Sequence, residues 1–254
     1  MNAPAPVTRM RRVLTALCAS TILLGCVSGG PTLPSGPGSG ILFVGNSLTY
    51  WNELPLIVQA VFDTAGGPRY EVAMVASPDV SLEDHWNDGF ARRQIERGGW
   101  QYVVLQQGPS SLPDSRVLLR DYVVRFSERI KAVGARPALY SVWPSLGRIG
   151  DFDRAIESYQ LAATDVGGLL FPVAEAWRAT WRRDSTVALY SPDGLHPSVS
   201  GSYLAALVMY AVISGKTPTG LPSSLRLRDG RTLTISPSLA GVLQAAAAEV
   251  TGGT

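Results

Sequence analysis

From Gly40 onward the chain alternates short apolar runs with longer stretches in which apolar residues recur at helical spacing. Five runs have the length and β-branched composition of buried strands, at 41–45, 70–75, 101–106, 137–142 and 169–173. The stretches between them predict helices near 53–65, 82–97, 115–133 and 152–166. Because strand and helix alternate, the pattern favours a mainly parallel five-stranded sheet with helices on both faces, a three-layer α/β/α sandwich.

The last part of the chain adds three elements. The run at 201–215 is strongly apolar, which predicts a helix buried against the sheet. The segment "LRLRDGRTLTI" at 225–235 alternates about Asp229-Gly230 and predicts a β-hairpin. Ser236-Pro237 then begins a final Ala-rich helix. With no internal repeat, residues 40–254 are interpreted as one domain.

The amino terminus has the composition of an export signal. Arg9, Arg11 and Arg12 precede an apolar run at 13–24, which is far shorter than the ~20 residues that span a bilayer. The run ends in "LLGC", which fits the lipobox of bacterial lipoproteins and predicts a signal peptide at 1–25 and lipidation of Cys26. Ordinary secretion, with Cys26 unmodified, is the alternative.

Residues 26–39 are rich in Gly, Ser and Pro and are interpreted as a flexible tether. The expected location is therefore the extracytoplasmic cell envelope, with the protein held on a membrane by its lipid. Val27 offers no acidic retention signal after Cys26, so the outer membrane is expected if the cell has two.

Processing changes the charge and the metal-binding potential of the chain. Three of the 22 basic residues lie in the signal, so 19 remain against 20 acidic residues, which is no basic footprint for nucleic acid. Cys18 would leave with the signal and Cys26 would carry the lipid. With two histidines remaining, neither a zinc site nor another cofactor is expected.

The first strand candidate ends on "GNS" at 45–47. Gly and Asn are common turn residues and Ser is a frequent helix N-cap, so a purely structural turn is one interpretation. The other is that Ser47 is a nucleophile, which requires a base. His196 lies in "SPDGLHPS", three residues after Asp193, where a carboxylate can orient the imidazole while the other ring nitrogen takes a serine proton.

These two motifs resemble those of the SGNH (GDSL-type) hydrolases, in a bacterial branch that reads Gly-Asn-Ser. The resemblance covers residues 40–215 and implies a flavodoxin-like α/β/α fold. It also implies that Ser47 is the nucleophile, His196 the general base and Asp193 its orienting acid.

The oxyanion hole is expected to depart from the family pattern. Family members use the serine amide, a glycine amide after the second strand and an asparagine side chain after the third. Here Pro78-Asp79 follows the second strand and "QQGPSS" follows the third. The expected donors are therefore the Ser47 amide, an amide at Asp79 or Val80, and the side chain of Gln106 or Gln107.

Other residues are expected near the substrate. Gly108 matches a family glycine and Ser110 falls at the asparagine position, while Trp143 follows the fourth strand and is either a pocket wall or a core aromatic. His85 and Trp86 either line the pocket mouth or form a pair on a helix surface that packs on a loop. The expected substrate-binding residues are Asn46, Gly108, Ser110 and Trp143.

Two arginine-rich segments, 91–97 and 177–183, are interpreted as solvated helix faces, and Asp151 with Asp153 as a helix cap. The resulting hypothesis is a serine esterase that acts on short acyl esters, such as acetylated carbohydrate. The alternatives are a lipid or lysophospholipid esterase and a non-catalytic glycan-binding envelope lipoprotein. The pattern does not decide the oligomeric state.

Overall fold

The computed structural model describes Met1 and residues 38–252 of the chain. From Gly38 onward the described residues fall into one compact unit. The predicted signal peptide, the lipidation at Cys26 and nearly all of the tether lie outside the described residues, so these assignments and the membrane location stay predictions.

A five-stranded sheet forms the centre of the molecule, as predicted. Its strand order is β2-β1-β3-β4-β5, and all neighbouring strands are parallel. The last strand is shorter than predicted because Pro172 has no N–H with which to continue the ladder. The strands are β1 (Gly40–Gly45), β2 (Glu71–Ala76), β3 (Trp100–Leu105), β4 (Arg136–Tyr140) and β5 (Leu169–Phe171).

Helices cover both faces of this sheet and complete the predicted three-layer α/β/α fold. The helices are α1 (Ser47–Tyr50), α2 (Leu54–Thr64), α3 (Leu82–Asp88), α4 (Phe90–Glu96), α5 (Pro113–Ala132), α6 (Phe152–Val166), α7 (Val173–Arg183), α8 (Val199–Ser214) and α9 (Pro237–Thr251). Helices α2, α7, α8 and α9 pack together in one layer, and α3 to α6 pack together in the other. Two short 3₁₀ segments, Trp51–Glu53 and Leu146–Asp151, lie near the edge where the strands end.

The carboxyl-terminal elements follow the predictions closely. Helix α8 is buried over most of its length, which explains why it is apolar on every side. Strands β6 (Ser224–Arg226) and β7 (Thr232–Thr234) form the predicted antiparallel hairpin, and Ser236 caps α9. No helix within residues 38–252 is long and apolar enough to cross a bilayer.

Three predictions about helices were wrong in detail. The helix predicted at 82–97 breaks at Gly89, whose left-handed backbone (φ 78°) ends α3. In segment 177–183 the arginines are exposed, but Trp177 is fully buried in the core, so this helix is not a wholly solvated face. Buried Ala91 and Ile95 correct the interpretation of segment 91–97 in the same way.

Candidate active site

A cavity of about 490 Å³ lies at the carboxyl edge of the sheet. Its wall is built from the segments that follow β1, β2, β3 and β4, from the first turns of α5, and from Leu195 in the loop before α8. Open parallel sheets bind their ligands at this edge. Seven of the predicted site residues line it: Asn46, Ser47, Asp79, Val80, Gln107, Gly108 and Ser110.

The turn that carries Ser47 is built by Asn46. Oδ1 of Asn46 accepts a hydrogen bond from the amide of Leu48 at 3.1 Å and so caps α1. Its Nδ2 donates to the carbonyl oxygen of Val80 at 3.2 Å, which ties the turn to the segment after β2. Asn46 thus lines the cavity, but its side chain is engaged in holding the turn.

Gln106 lies beneath this turn and is fully buried. Its Oε1 accepts hydrogen bonds from the Asn46 amide at 2.9 Å and from Thr49 Oγ1 at 2.6 Å. Its Nε2 donates to Asn46 Oδ1 at 2.9 Å and to the Gln107 carbonyl. The prediction that Gln106 is an oxyanion donor is therefore wrong, because both of its amide protons already hold the nucleophile turn in place.

The close packing of Gln106 explains the glycine at position 45. A Cβ on Gly45 would lie 2.3 Å from Thr49 Oγ1 and 2.4 Å from Gln106 Oε1, closer than atoms can approach. We expect Gly45→Ala to lower the free energy of unfolding by about 1–3 kcal/mol, measured by urea denaturation. Gly241→Ala is the matched control, since a Cβ there meets nothing within 4 Å. Equal stabilities of the two variants would contradict this packing.

Gln107 was also predicted as an oxyanion donor, and its side chain is equally engaged. Its Oε1 accepts from the Leu82 amide at 3.2 Å, and its Nε2 donates to Ser110 Oγ at 2.9 Å and to the Ser115 carbonyl at 3.3 Å. Ser110 in turn donates to the Gly108 carbonyl at 3.2 Å. Gln107 and Ser110 therefore shape the cavity wall, and neither offers a free proton to a substrate.

Backbone amides remain as candidate donors at the cavity. Ser47, Asp79, Val80 and Gly108 all line it, and none of their amides donates a hydrogen bond within residues 38–252. Asp79 adopts a left-handed backbone (φ 56°) in the turn after β2, the segment where the family pattern places a glycine amide. These backbone amides are therefore the candidate donors to a developing negative charge, since the side chains of Gln106 and Gln107 are engaged.

Asp193 and His196 form the predicted pair. His196 Nδ1 donates to Asp193 Oδ2 at 2.7 Å, while Asp193 Oδ1 accepts from the amides of Leu195 and His196, both at 2.9 Å. The hydrogen bond from the Leu195 amide, followed by that from the imidazole, lowers the pKa of Asp193 to about 2. The carboxylate is thus charged at neutral pH and fixes the tautomer with Nε2 free to act as a base.

Trp143 holds the loop that carries this pair, a role that the sequence pattern did not reveal. It is fully buried and stacks on Trp177 with 3.6 Å between ring centroids, so the prediction that it contacts substrate is wrong. Its Nε1 donates to the carbonyl of Leu195 at 3.0 Å. The amide of Leu146 donates to the carbonyl of Gly194 at 2.7 Å and supports the same loop.

Trp51 covers one face of the His196 imidazole. Its ring stacks on His196 with a centroid distance of 3.9 Å and an interplanar angle of 14°. The next two residues, Asn52 and Glu53, have left-handed backbones, and Asn52 Nδ2 donates to the Pro197 carbonyl and to Ser202 Oγ, both at 3.0 Å. This strained turn therefore clamps the segment after His196.

Ser47 and His196 are not hydrogen-bonded to each other. Neither Ser47 Oγ nor His196 Nε2 has a hydrogen-bond partner within the described range, and Nε2 is shielded from solvent. Hydrogen bonds between nucleophile and base are often long without substrate and shorten in the reacting complex. Both atoms are thus free of other hydrogen-bond partners among the described residues.

His85 supports the nucleophile from below. It is buried, and its Nε2 donates to the carbonyl oxygen of Gly45 at 2.7 Å. It therefore lies under the Ser47 turn, in neither of the two places expected for it. Trp86 packs its edge against Phe126. Within residues 38–252 no group of three or more His, Cys, Asp or Glu side chains is arranged to hold a metal ion.

Comparison with known proteins supports the family that the motifs indicate. No family model and no curated protein matches the chain. Among solved structures, a protein from Slackia heliotrinireducens described as an SGNH hydrolase is 32% identical, with a TM-score of 0.59; the match covers 69% of this chain and 99% of that one.

Two further structures share the fold at lower identity. A lipase/acylhydrolase from Enterococcus faecalis is 18% identical over 69% of this chain and 95% of its own, with a TM-score of 0.55. A catalytic mutant of an acetylxylan esterase from Geobacillus stearothermophilus is 15% identical over 70% of this chain and 95% of its own, with a TM-score of 0.54. Since the first structure matches over almost its full length above 30% identity, this chain belongs to the SGNH hydrolases and is an SGNH-type serine hydrolase.

Proposed function

We propose that this serine hydrolase cleaves carboxylic esters of short acyl groups, with acetylated carbohydrate as the preferred substrate. The observation that carries the proposal is the Asp193 carboxylate held on His196 Nδ1 at 2.7 Å. This contact leaves Nε2, which has no other partner among the described residues, as a base, and Ser47 lines the cavity with a hydroxyl that makes no hydrogen bond within residues 38–252.

In the proposed reaction, Ser47 Oγ attacks the ester carbonyl carbon as its proton passes to His196 Nε2. The resulting oxyanion accepts hydrogen bonds from the amides of Ser47, Asp79 and Gly108. Collapse of this intermediate breaks the bond to the alcohol oxygen, which takes the proton from His196 and departs. The acyl-enzyme on Ser47 is then attacked by water, which loses a proton to His196, and the acid is released.

The cavity wall supports a small, polar substrate. The lining combines serine hydroxyls with apolar side chains, which suits a sugar ring and a short acyl group, and a volume of about 490 Å³ holds a sugar unit with its acyl group. The acetylxylan esterase that shares the fold acts on an acetylated carbohydrate, which supports the same class here.

A second cavity favours the alternative of a lipid ester substrate. It has a volume of about 510 Å³, adjoins the Ser191–Gly194 part of the catalytic loop, and is lined mainly by apolar residues. An acyl chain longer than the first cavity could extend toward it. The apolar lining includes Leu146, Ile149, Trp181, Val187, Leu189 and Tyr190.

Hydrolysis of p-nitrophenyl esters from acetate to decanoate by residues 31–254 tests both proposals. We expect turnover to be fastest for acetate, and a small fluorophosphonate to add covalently to Ser47, located by peptide mass spectrometry. A maximum at eight carbons or more would favour the lipid alternative. Absence of both turnover and a Ser47 adduct would overturn the proposed esterase function.

A further inference from the structure

The cavity beside Ser47 contains one basic side chain, Arg148, which the proposed chemistry does not use. Arg148 lies in the 3₁₀ segment Leu146–Asp151 after β4, and Asp79 is the one acidic residue among the described residues that line this cavity. In the sheet order β2-β1-β3-β4, Asp79 follows β2, Ser47 follows β1 and Arg148 follows β4. A negative and a positive group therefore lie on opposite sides of the nucleophile.

A buried carboxylate holds Arg148 in place. Asp151 Oδ2 accepts hydrogen bonds from Arg148 Nη2 and, at 3.2 Å, from Ser111 Oγ, while Oδ1 accepts from Arg154 Nη2. Burial raises the pKa of Asp151, but hydrogen bonds from Arg148 and Ser111 outweigh it, so the pKa is lowered. The carboxylate was expected to cap α6, yet it makes no capping hydrogen bond and binds these two arginines instead.

The resulting cluster has positive charge to spare. Two guanidinium groups share one carboxylate, so the cluster of Arg148, Asp151 and Arg154 carries a net charge of +1. Arg154 does not line the cavity, whereas Arg148 does and its side chain is 47% exposed. Nε and Nη1 of Arg148 donate no hydrogen bond within residues 38–252. A fixed guanidinium with free donors is the arrangement that proteins use to bind carboxylates.

We propose that Arg148 binds a carboxylate on the substrate, so that the preferred esters carry an acidic group in the part of the molecule that lies toward β4. For a carbohydrate substrate this predicts an acylated acidic sugar in preference to a neutral one. The inference rests on the proposed ester hydrolysis. It specifies the charge of the preferred substrate, which neither the fold nor the residues Ser47, Asp193 and His196 determine.

The test compares two acetate esters of similar shape, 4-acetoxybenzoate and 4-acetoxybenzamide, which differ in charge. We expect the ratio of their kcat/KM values to favour the anion about 10- to 100-fold, mainly through KM, since this is the usual strength of a hydrogen bond to a charged group. Added salt should reduce the ratio, because ions screen a half-exposed pair.

Three variants test whether Arg148 causes the preference for the anionic ester. Arg148→Gln should bring the ratio near one, and Arg148→Lys should keep part of it. Arg125→Gln is the matched control, since it removes an exposed guanidinium of α5 that neither lines the cavity nor contacts Asp151, and it should keep the ratio. If Arg148→Gln hydrolyses neither ester, Arg148→Lys decides: a retained preference supports the inference, and a ratio of one contradicts it.

The outcomes separate this inference from the proposed function. Hydrolysis of both esters by the unmodified protein without preference for the anion would overturn the role of Arg148 and leave the esterase function standing. An anion preference that survives Arg148→Gln unchanged would likewise overturn it. Hydrolysis of neither ester would count against the esterase function itself.

Discussion

Replacement of Ser47 by alanine is expected to lower kcat for p-nitrophenyl acetate at least about a thousandfold, and His196→Ala should do the same. The physical reason is that the serine hydroxyl attacks only as it loses its proton, and the imidazole Nε2 is the atom available to take it. Because the two residues act as a unit, the double variant should be no slower than either single one.

A matched control distinguishes chemistry from folding. Ser238→Ala removes the same hydroxyl from the exposed first turn of α9 and should leave the rate unchanged. The thermal midpoint of each variant shows whether the fold is retained. If Ser47→Ala kept more than a tenth of the parent rate in a folded protein, Ser47 would not be the nucleophile.

Replacement of Asp193 by asparagine should have the second largest effect, a loss of about 10³- to 10⁴-fold in kcat. The carboxylate now accepts a hydrogen bond from His196 Nδ1 at 2.7 Å and so places the proton on that nitrogen. An amide group at the same position can present its NH₂ to Nδ1, which favours the tautomer with the proton on Nε2. The imidazole would then be unable to accept a proton from Ser47.

The low pKa of Asp193 also predicts how the rate of the unmodified protein depends on pH. Since the pKa of Asp193 is lowered to about 2, the carboxylate keeps its charge as the pH falls and loses it only near pH 2. Protonation of Asp193 therefore should not limit the rate between pH 4 and 9, and a rate loss in this range must have another cause.

The control for Asp193→Asn is Asp121→Asn, which makes the same change on the exposed surface of α5. A loss under tenfold for Asp193→Asn would remove Asp193 from its assigned role.

The geometry around His196 shows how the fold keeps a base ready. Asn52 and Glu53 have left-handed backbones, which cost free energy in residues other than glycine. Two hydrogen bonds from Asn52 to Pro197 and Ser202 offset this cost and join the 3₁₀ segment before α2 to the residue after His196 and to α8. The same turn places Trp51 flat against the imidazole, where an aromatic face favours the protonated ring that forms during catalysis.

The sequence predicts the main features of the fold and part of the site, because these features depend on hydrophobic periodicity and on residues that are close together in the chain. Alternating apolar runs and helical periods predicted the parallel sheet, and the five strands lie within a few residues of their predicted places. Asp193 and His196 are three residues apart in a turn, so their contact follows from short-range geometry. Ser47 follows the first strand, and the ends of parallel strands meet at one edge.

Contacts between distant parts of the chain were decided only by the tertiary structure. Gln106 is 60 residues from Asn46, and only the pairing of β1 with β3 turns an expected oxyanion donor into the support of the nucleophile turn. The sequence is equally compatible with Trp143 in a cavity wall and with Trp143 in the core. Its stacking on Trp177 places it in the core.

Sequence alone therefore determined the fold class, the family and the identity of the Ser47, Asp193 and His196 trio as candidates. It did not determine which polar side chains near them are free to act. A side-chain amide or guanidinium has the same sequence signature whether or not its protons are already bound. Only the folded chain, by bringing Ser111 against Asp151 and Asn46 against Gln106, shows which donors remain for a substrate.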